Sequence, residues 1–176
     1  MMVIGCRVLL YVFLTGAAWQ DGCRGRVPAR LAECVLIAGL FLCLTEDWWE
    51  VLWYLCRFAV FGAPFFCLFL LGMMGGGDWK LFGLIGALAG WHRGFCIAWI
   101  GLILAGIFSV GRMICSGRFH SRMQLLSWYC RRCICSRRLC RYPAGADERD
   151  RVRLGCFLWA GAVIDGVWLI LCEVWL

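Results

Sequence analysis

The chain has 176 residues, of which 63% are hydrophobic and only 16% are charged, and its formal net charge is +7. Soluble domains usually carry about 25% charged residues, so this composition excludes an ordinary soluble enzyme and indicates an integral membrane protein. No polar stretch is long enough for a second domain, and we predict one membrane-embedded domain over residues 1–176. In such a protein the excess of arginine reports orientation, and we expect no nucleic-acid partner.

Six apolar runs predict an all-α, polytopic protein with six transmembrane helices. The runs cover Val3–Trp19, Leu31–Leu44, Val51–Met74, Leu81–Trp91, Phe95–Val110 and Leu154–Trp175. The second and fourth are short for a span of about 20 residues, but they reach that length as 29–45 and 76–94. The first run is either a signal peptide, with Gly16-Ala17-Ala18 as small residues for cleavage, or an uncleaved helix. We favour the helix because the start lacks a basic segment.

The lysines and arginines of the five predicted loops indicate the orientation. The first loop, around residues 20–30, has three arginines, the second has none, and the third and fourth have Lys80 and Arg93. The fifth, about residues 112–153, has eleven arginines. Basic loops stay on the cytoplasmic side, which puts loops one, three and five in the cytoplasm and both termini outside. The arginines of the basic loop could also contact the headgroups of anionic membrane lipids, but we favour the simpler role of setting the topology.

The segment Gly75-Gly76-Gly77-Asp78 interrupts the apolar pattern and is the first candidate site. A carboxylate at the end of a membrane helix is a functional candidate unless it is paired. The glycines allow positive φ and a close approach of backbone. Asp78 could instead be the N-cap of a helix that begins at Trp79. Lys80 either balances the charge of the site or extends toward the membrane surface.

A second aspartate, Asp21, lies in the first predicted loop, on the same membrane face as Asp78. Two carboxylates that are brought together share a proton and titrate as a unit. The ionised member can take a proton from water while the protonated member polarises a carbonyl group. This chemistry predicts peptide hydrolysis at the membrane boundary without a metal or another cofactor.

These residues resemble the motifs of the type IV prepilin peptidases, which are membrane aspartyl proteases. Gly75-x-Gly77-Asp78 followed by Trp79-Lys80 resembles their GxGD-then-VK motif, and Asp21 with Pro28 seven residues later resembles their first-aspartate loop. Ala29 stands where asparagine is usual, and Arg24 comes one place later than the usual arginine. The resemblance implies that Asp21 and Asp78 are the catalytic pair and that Gly75 and Gly77 give the substrate backbone access.

The resemblance also implies a substrate and a place in the cell. Such peptidases remove the basic leader from prepilins or pseudopilins, which have an apolar N-terminal helix, at the cytoplasmic face of the inner membrane. The short chain resembles the peptidases of tight-adherence (Flp) pili. Larger relatives methylate the new terminus with a zinc-binding domain after the first helix, for which the first loop has no room. The alternative is a non-enzymatic transport or scaffold subunit, in which Asp78 only caps a helix.

Four cysteines in the basic loop form a weaker candidate site. Cys130, Cys133, Cys135 and Cys140 include a CxxC pair, which is a spacing used for zinc. The single residue between Cys133 and Cys135 is unfavourable for one tetrahedral site, and we favour free cysteines. Asp165, in the sixth run, is interpreted as structural because no motif surrounds it.

Overall fold

The computed structural model describes residues 2–24, 29–136 and 154–175, and the regular secondary structure of these segments is entirely α-helical. The all-α class predicted from the sequence is thereby confirmed for them. The helices are α1 (Met2–Arg24), α2 (Ala29–Leu44), α3 (Trp48–Leu70), α4 (Asp78–Ala89), α5 (Trp91–Cys115), α6 (Phe119–Ser136) and α7 (Leu154–Trp175).

Two of the described helices, α3 and α5, are long and apolar enough to cross a membrane, with 23 and 25 residues. At about 1.5 Å per residue they measure about 35 and 38 Å, against about 30 Å for the hydrocarbon layer of a bilayer. The last helix contains a shorter apolar stretch, Leu154–Leu169. The six spans therefore remain a prediction, and α6 is a further helix in the stretch that was expected to be a loop.

The short helix α4 lies at the centre of the bundle. It has 12 residues, its residues from Leu81 to Leu88 are all buried, and it contacts α1, α2, α3, α5 and α7. Glycines permit this packing because aromatic rings of α3 occupy the space beside them. A Cβ on Gly83 would lie 2.8 Å from Cε2 of Phe58, and the ring of Phe61 fills the corresponding place at Gly86. The dense packing fixes the position of α4, and with it the position of its first residue.

Polar contacts join α1 to α7 along most of their length. The hydroxyl group of Tyr11 donates to a backbone carbonyl of α7 at 3.4 Å, and the indole N–H of Trp159 donates to Oγ1 of Thr15 at 3.1 Å. The amide of Gly155 donates to Oδ2 of Asp21 at 2.9 Å. Later residues of α1 are hydrogen-bonded to earlier residues of α7, so the two helices are antiparallel. Hydrogen bonds between side chains and neighbouring helices are a common means of holding membrane bundles together.

One end of the bundle carries the last turns of α1 and the first turns of α2, α4 and α7. Leu31 of α2 contacts Gly16 of α1, and Nζ of Lys80 in α4 lies 2.8 Å from Oε1 of Glu33 in α2. We name this the aspartate end. Both candidate aspartates belong to the aspartate end, since Asp21 is in the last turn of α1 and Asp78 is the first residue of α4.

Two helix boundaries differ from the sequence prediction. The first helix continues to Arg24, so Asp21 is helical and does not lie in a loop. Its carboxylate is satisfied by α7, which removes the need for the helix to stop where the apolar run stops. In the fourth run, α4 ends at Gly90, which has φ of +80°, and α5 begins at Trp91. One glycine with positive φ makes this turn, so the predicted break at 92–94 lies inside α5.

Candidate active site

Asp21 is the buried carboxylate of the site, with 6% of its surface exposed. Its Oδ2 accepts the amide N–H of Gly155, the second residue of α7. That amide belongs to the first turn of a helix, where N–H groups have no partner within the helix. The N-terminus of a helix also favours a negative charge. The start of α7 therefore compensates part of the cost of burying an ionised carboxylate.

The contact between Asp21 and α7 requires a glycine. A Cβ on Gly155 would lie 3.0 Å from Oδ2 and 3.2 Å from Cβ of Asp21, and 3.4 Å from the carbonyl oxygen of Ala17. Ordinary contacts of a Cβ atom begin at about 3.4 Å. The absence of a side chain at position 155 thus lets the backbone of α7 approach the carboxylate to hydrogen-bond distance. Gly155 was not predicted as a site residue because nothing in the local sequence marks it.

Asp78 is the first residue of α4, and Gly77 occupies the N-cap position. The prediction that Asp78 caps a helix beginning at Trp79 is therefore wrong. Its amide donates to the carbonyl of Gly75 at 3.2 Å, and its carboxylate folds back over the same residue. A Cβ on Gly75 would lie 2.9 Å from Oδ2 of Asp78. Gly75 therefore provides room for the carboxylate.

None of the three glycines in the run at 75–77 has a positive φ. The described glycines with positive φ are Gly72, Gly90 and Gly117, and Gly77 has φ of −79°. The run at 75–77 therefore does not use the positive φ that glycine allows. What these glycines provide is space, because Gly76 faces the ring of Phe69, whose Cε2 would lie 3.3 Å from an added Cβ. Access of a substrate backbone to Gly75 and Gly77 stays a prediction.

Lys80 forms an ion pair that joins α4 to α2. Its Nζ lies 2.8 Å from Oε1 of Glu33, whose side chain is 59% exposed. We predicted that Lys80 either balances the charge of the site or extends toward the surface. Neither prediction included this contact with Glu33 of α2. An exposed pair of this kind contributes about 0–1 kcal/mol. Its main consequence is to fix the first turn of α4 against α2.

Gln20, the neighbour of Asp21, adds an unused acceptor to the site. Its Oε1 is buried and has no hydrogen-bond partner among the residues that the structure describes. Buried polar groups are nearly always hydrogen-bonded, so this acceptor is an exception among the described residues. Because the atom is shielded from solvent, it offers no open position for a ligand.

The cysteines of the basic segment do not form a site in the described residues. Cys130, Cys133 and Cys135 are free thiols on α6, and Cys140 lies outside the described residues. Over residues 2–24, 29–136 and 154–175, no three His, Cys, Asp or Glu side chains are grouped to hold a metal ion. Residues two apart on a helix point to opposite sides, since each step turns by about 100°. Cys133 and Cys135 therefore cannot share one ion while α6 is helical.

Asp165 lies apart from the two candidate aspartates. It follows Gly155 by ten residues on α7, which is about 15 Å along the helix axis. It is half-buried, and the positive charges of Arg93 and Arg7 act on it. This electrostatic environment agrees with the interpretation of Asp165 as a structural residue.

Residues 8–110, more than half of the chain, match the model of the type IV leader peptidase family. The chain therefore belongs to the type IV leader peptidase family. Membership indicates a protease of the leader-peptidase type. Together with the two long apolar helices, it also indicates a membrane protein. The matched region contains Asp21 and Asp78, whereas Gly155 lies beyond it. No curated protein and no solved structure matches the chain.

Proposed function

We propose that the protein is a membrane aspartyl endopeptidase that removes the basic leader from type IV prepilins or pseudopilins at the cytoplasmic membrane face. The observation that carries this proposal is the pair of aspartates at one end of the bundle, each next to the N-terminus of a helix. Asp21 accepts the amide of Gly155 at the start of α7, and Asp78 begins α4. Helix N-termini stabilise negative charge, so both positions suit carboxylates that gain and lose charge during a reaction.

The hydrogen bond from α7 favours Asp21 as the ionised member of the pair. The Asp21 carboxylate takes a proton from a water molecule, whose oxygen attacks the scissile carbonyl carbon. Protonated Asp78 gives its proton to the carbonyl oxygen, which forms a neutral tetrahedral diol. The C–N bond then breaks as Asp21 returns its proton to the leaving nitrogen and Asp78 recovers a proton from the diol. One water molecule is consumed, and both carboxyl groups end in their starting states.

The proposed substrate has an apolar helix in the bilayer and an extended segment at the site. In this proposal an extended peptide approaches Asp78 along residues 75–77, which carry no side chains, and the Asp78 carboxylate and the Phe69 ring, which now lie beside Gly75 and Gly76, move aside for it. The described arginines of α6 are in the segment that follows α5 and support a cytoplasmic location for this end by the positive-inside rule.

Co-expression with a candidate prepilin tests the proposal, with leader removal followed by gel shift and mass spectrometry. Wild type is expected to release the leader and leave an unmethylated N-terminus. Asp21→Asn and Asp78→Asn, tested separately, are expected to abolish cleavage while the protein still inserts. Asp47→Asn is the matched control, because Asp47 is exposed and its side chain makes no capping hydrogen bond.

Cleavage by either single variant would refute the two-aspartate mechanism. Failure of the wild type on every prepilin tried, with the protein correctly inserted, would favour the scaffold alternative. Cleavage by all variants would assign the activity to another protease of the host cell.

A further inference from the structure

The helix α6 combines a positive charge with an apolar stripe. Arg118, Arg122, Arg131 and Arg132 lie in or next to it, and the sequence contains no acidic residue between Asp78 and Asp147. The side chains of Arg131 and Arg132 are exposed. The guanidinium group of Arg132 lies 5.2 Å from the ring centroid of Trp128. Paired tryptophan and arginine side chains are typical of membrane–water interfaces.

Five apolar residues of α6 share one face that the rest of the protein leaves largely uncovered, whereas Leu125 and Trp128 lie on other faces of the helix. The five recur at intervals of four and three residues, which is the spacing of one helix face. This stripe consists of Phe119, Met123, Leu126, Cys130 and Cys133. The first three are 40%, 47% and 38% exposed. In the described part of α6 only Tyr129 is buried, and the helix contacts the bundle chiefly through α5.

The connection from α5 holds α6 at the membrane surface. Gly117, with φ of +66°, ends α5, and the amide of Arg118 donates to the carbonyl of Met113 at 3.2 Å. This Schellman-type ending turns the chain immediately after a helix that is long enough to cross a bilayer. If α5 crosses the bilayer as proposed, α6 therefore begins close to the membrane surface.

The contacts between α5 and α7 place α6 at the end of the bundle that holds the two aspartates. Gly101 of α5 packs on Leu158, and the earlier Ile97 packs on Gly161, so α5 and α7 are antiparallel. The end of α5 therefore lies at the same end of the bundle as the start of α7, where Gly155 bonds Asp21, but about 15 Å further out along the helix axis. An anionic lipid layer bound by α6 would therefore lie on the side of the bundle that holds the two aspartates.

We propose that α6 is an interfacial helix that binds anionic phospholipid headgroups through its arginines and inserts its apolar stripe between the lipids. Two features fit this partner. The charge is of one sign and complementary to lipid phosphate, and the apolar stripe begins at the membrane surface. Interfacial helices of this composition bind through apolar burial together with electrostatic attraction to anionic lipids.

Hydrogen–deuterium exchange of the full chain in lipid nanodiscs tests the proposal. Nanodiscs of phosphatidylcholine alone are compared with nanodiscs that also contain phosphatidylglycerol. Amides of residues 119–136 are expected to exchange at least about tenfold more slowly with the anionic lipid, since each arginine adds to the attraction. The difference should shrink at 1 M salt, where the screening length falls to about 3 Å. Peptides from α3 serve as an internal reference and should not respond.

Two double variants distinguish an effect of the arginine charges from an effect of changing the helix itself. Arg131→Gln combined with Arg132→Gln is expected to lose most of the dependence on anionic lipid. Ser121→Gln combined with Ser127→Gln changes the same helix without changing its charge, and should behave as wild type. Equal exchange of α6 in both lipids would overturn the proposal, as would a slow exchange that is insensitive to both lipid and salt. An Arg131→Gln, Arg132→Gln variant that keeps the full lipid dependence would overturn it as well.

Discussion

Replacing Gly155 by alanine should uncouple the start of α7 from Asp21 without unfolding the protein. The new Cβ would lie 3.0 Å from Oδ2, so the carboxylate or the helix must move by about 0.4 Å to reach an ordinary contact of 3.4 Å. The movement stretches the 2.9 Å hydrogen bond between the amide and Oδ2. A hydrogen bond to a charged group contributes about 1.5–3 kcal/mol, which corresponds to about 10- to 150-fold in rate. We therefore expect kcat for leader cleavage to fall by about 10- to 100-fold.

The assay is the initial rate of cleavage of a purified prepilin by the enzyme in nanodiscs, over a range of substrate concentrations. KM should change little, because the carboxylate acts on water and does not hold the substrate's helix. Alanine favours a helix over glycine by about 1 kcal/mol, so lost helix propensity cannot explain a lower rate. Gly111→Ala is the control, since nothing lies within 4 Å of an added Cβ there. A folded Gly155→Ala enzyme with the kcat of wild type would refute the role of this contact.

Two further predictions concern glycines whose neighbours the structure identifies. Gly75→Ala would put a Cβ 2.9 Å from Oδ2 of Asp78, so cleavage should fall by about tenfold or more with an unchanged melting temperature; a fully active variant would contradict this. Gly101→Ala would put a Cβ 2.8 Å from Cδ2 of Leu158 and should destabilise the protein by about 1–3 kcal/mol, seen as a lower melting temperature in detergent. Gly106→Ala, with open space around it, should not lower the melting temperature.

Prediction from the sequence was most successful where a charged or polar motif borders a long apolar run. The last helix, Leu154–Trp175, has the predicted bounds because a basic segment precedes its long apolar run. The family was predictable from the GxGD pattern that ends at Asp78, because a carboxylate between two apolar runs is costly in a membrane and so marks a functional position. Helix boundaries were less predictable, since hydrophobicity reports where lipid is and not where a helix ends.

The features that could not be predicted from the sequence depend on contacts between residues that are far apart in the chain. Asp21 belongs to a helix because α7, more than 130 residues later, satisfies its carboxylate. The salt bridge between Lys80 and Glu33 likewise joins separate helices. The helix α6 was missed because a run rich in arginine fails every test for a span, although its apolar residues keep helical spacing. A search for helical periodicity in polar segments would have found it.

The small length of α4 makes bilayer thickness a variable of the reaction. From their shared turn at Gly90, α4 extends for 12 residues and α5 for 25, or about 18 and 38 Å. The end of α5 thus lies about 20 Å beyond Asp78, and in the proposed topology, with a hydrocarbon layer about 30 Å thick, Asp78 lies inside that layer. Irregular backbone at this depth, such as residues 71–77, is tolerated only beside protein or water. Hydrolysis there requires a hydrated recess, and a thicker bilayer would lengthen the path that water and the scissile bond must travel.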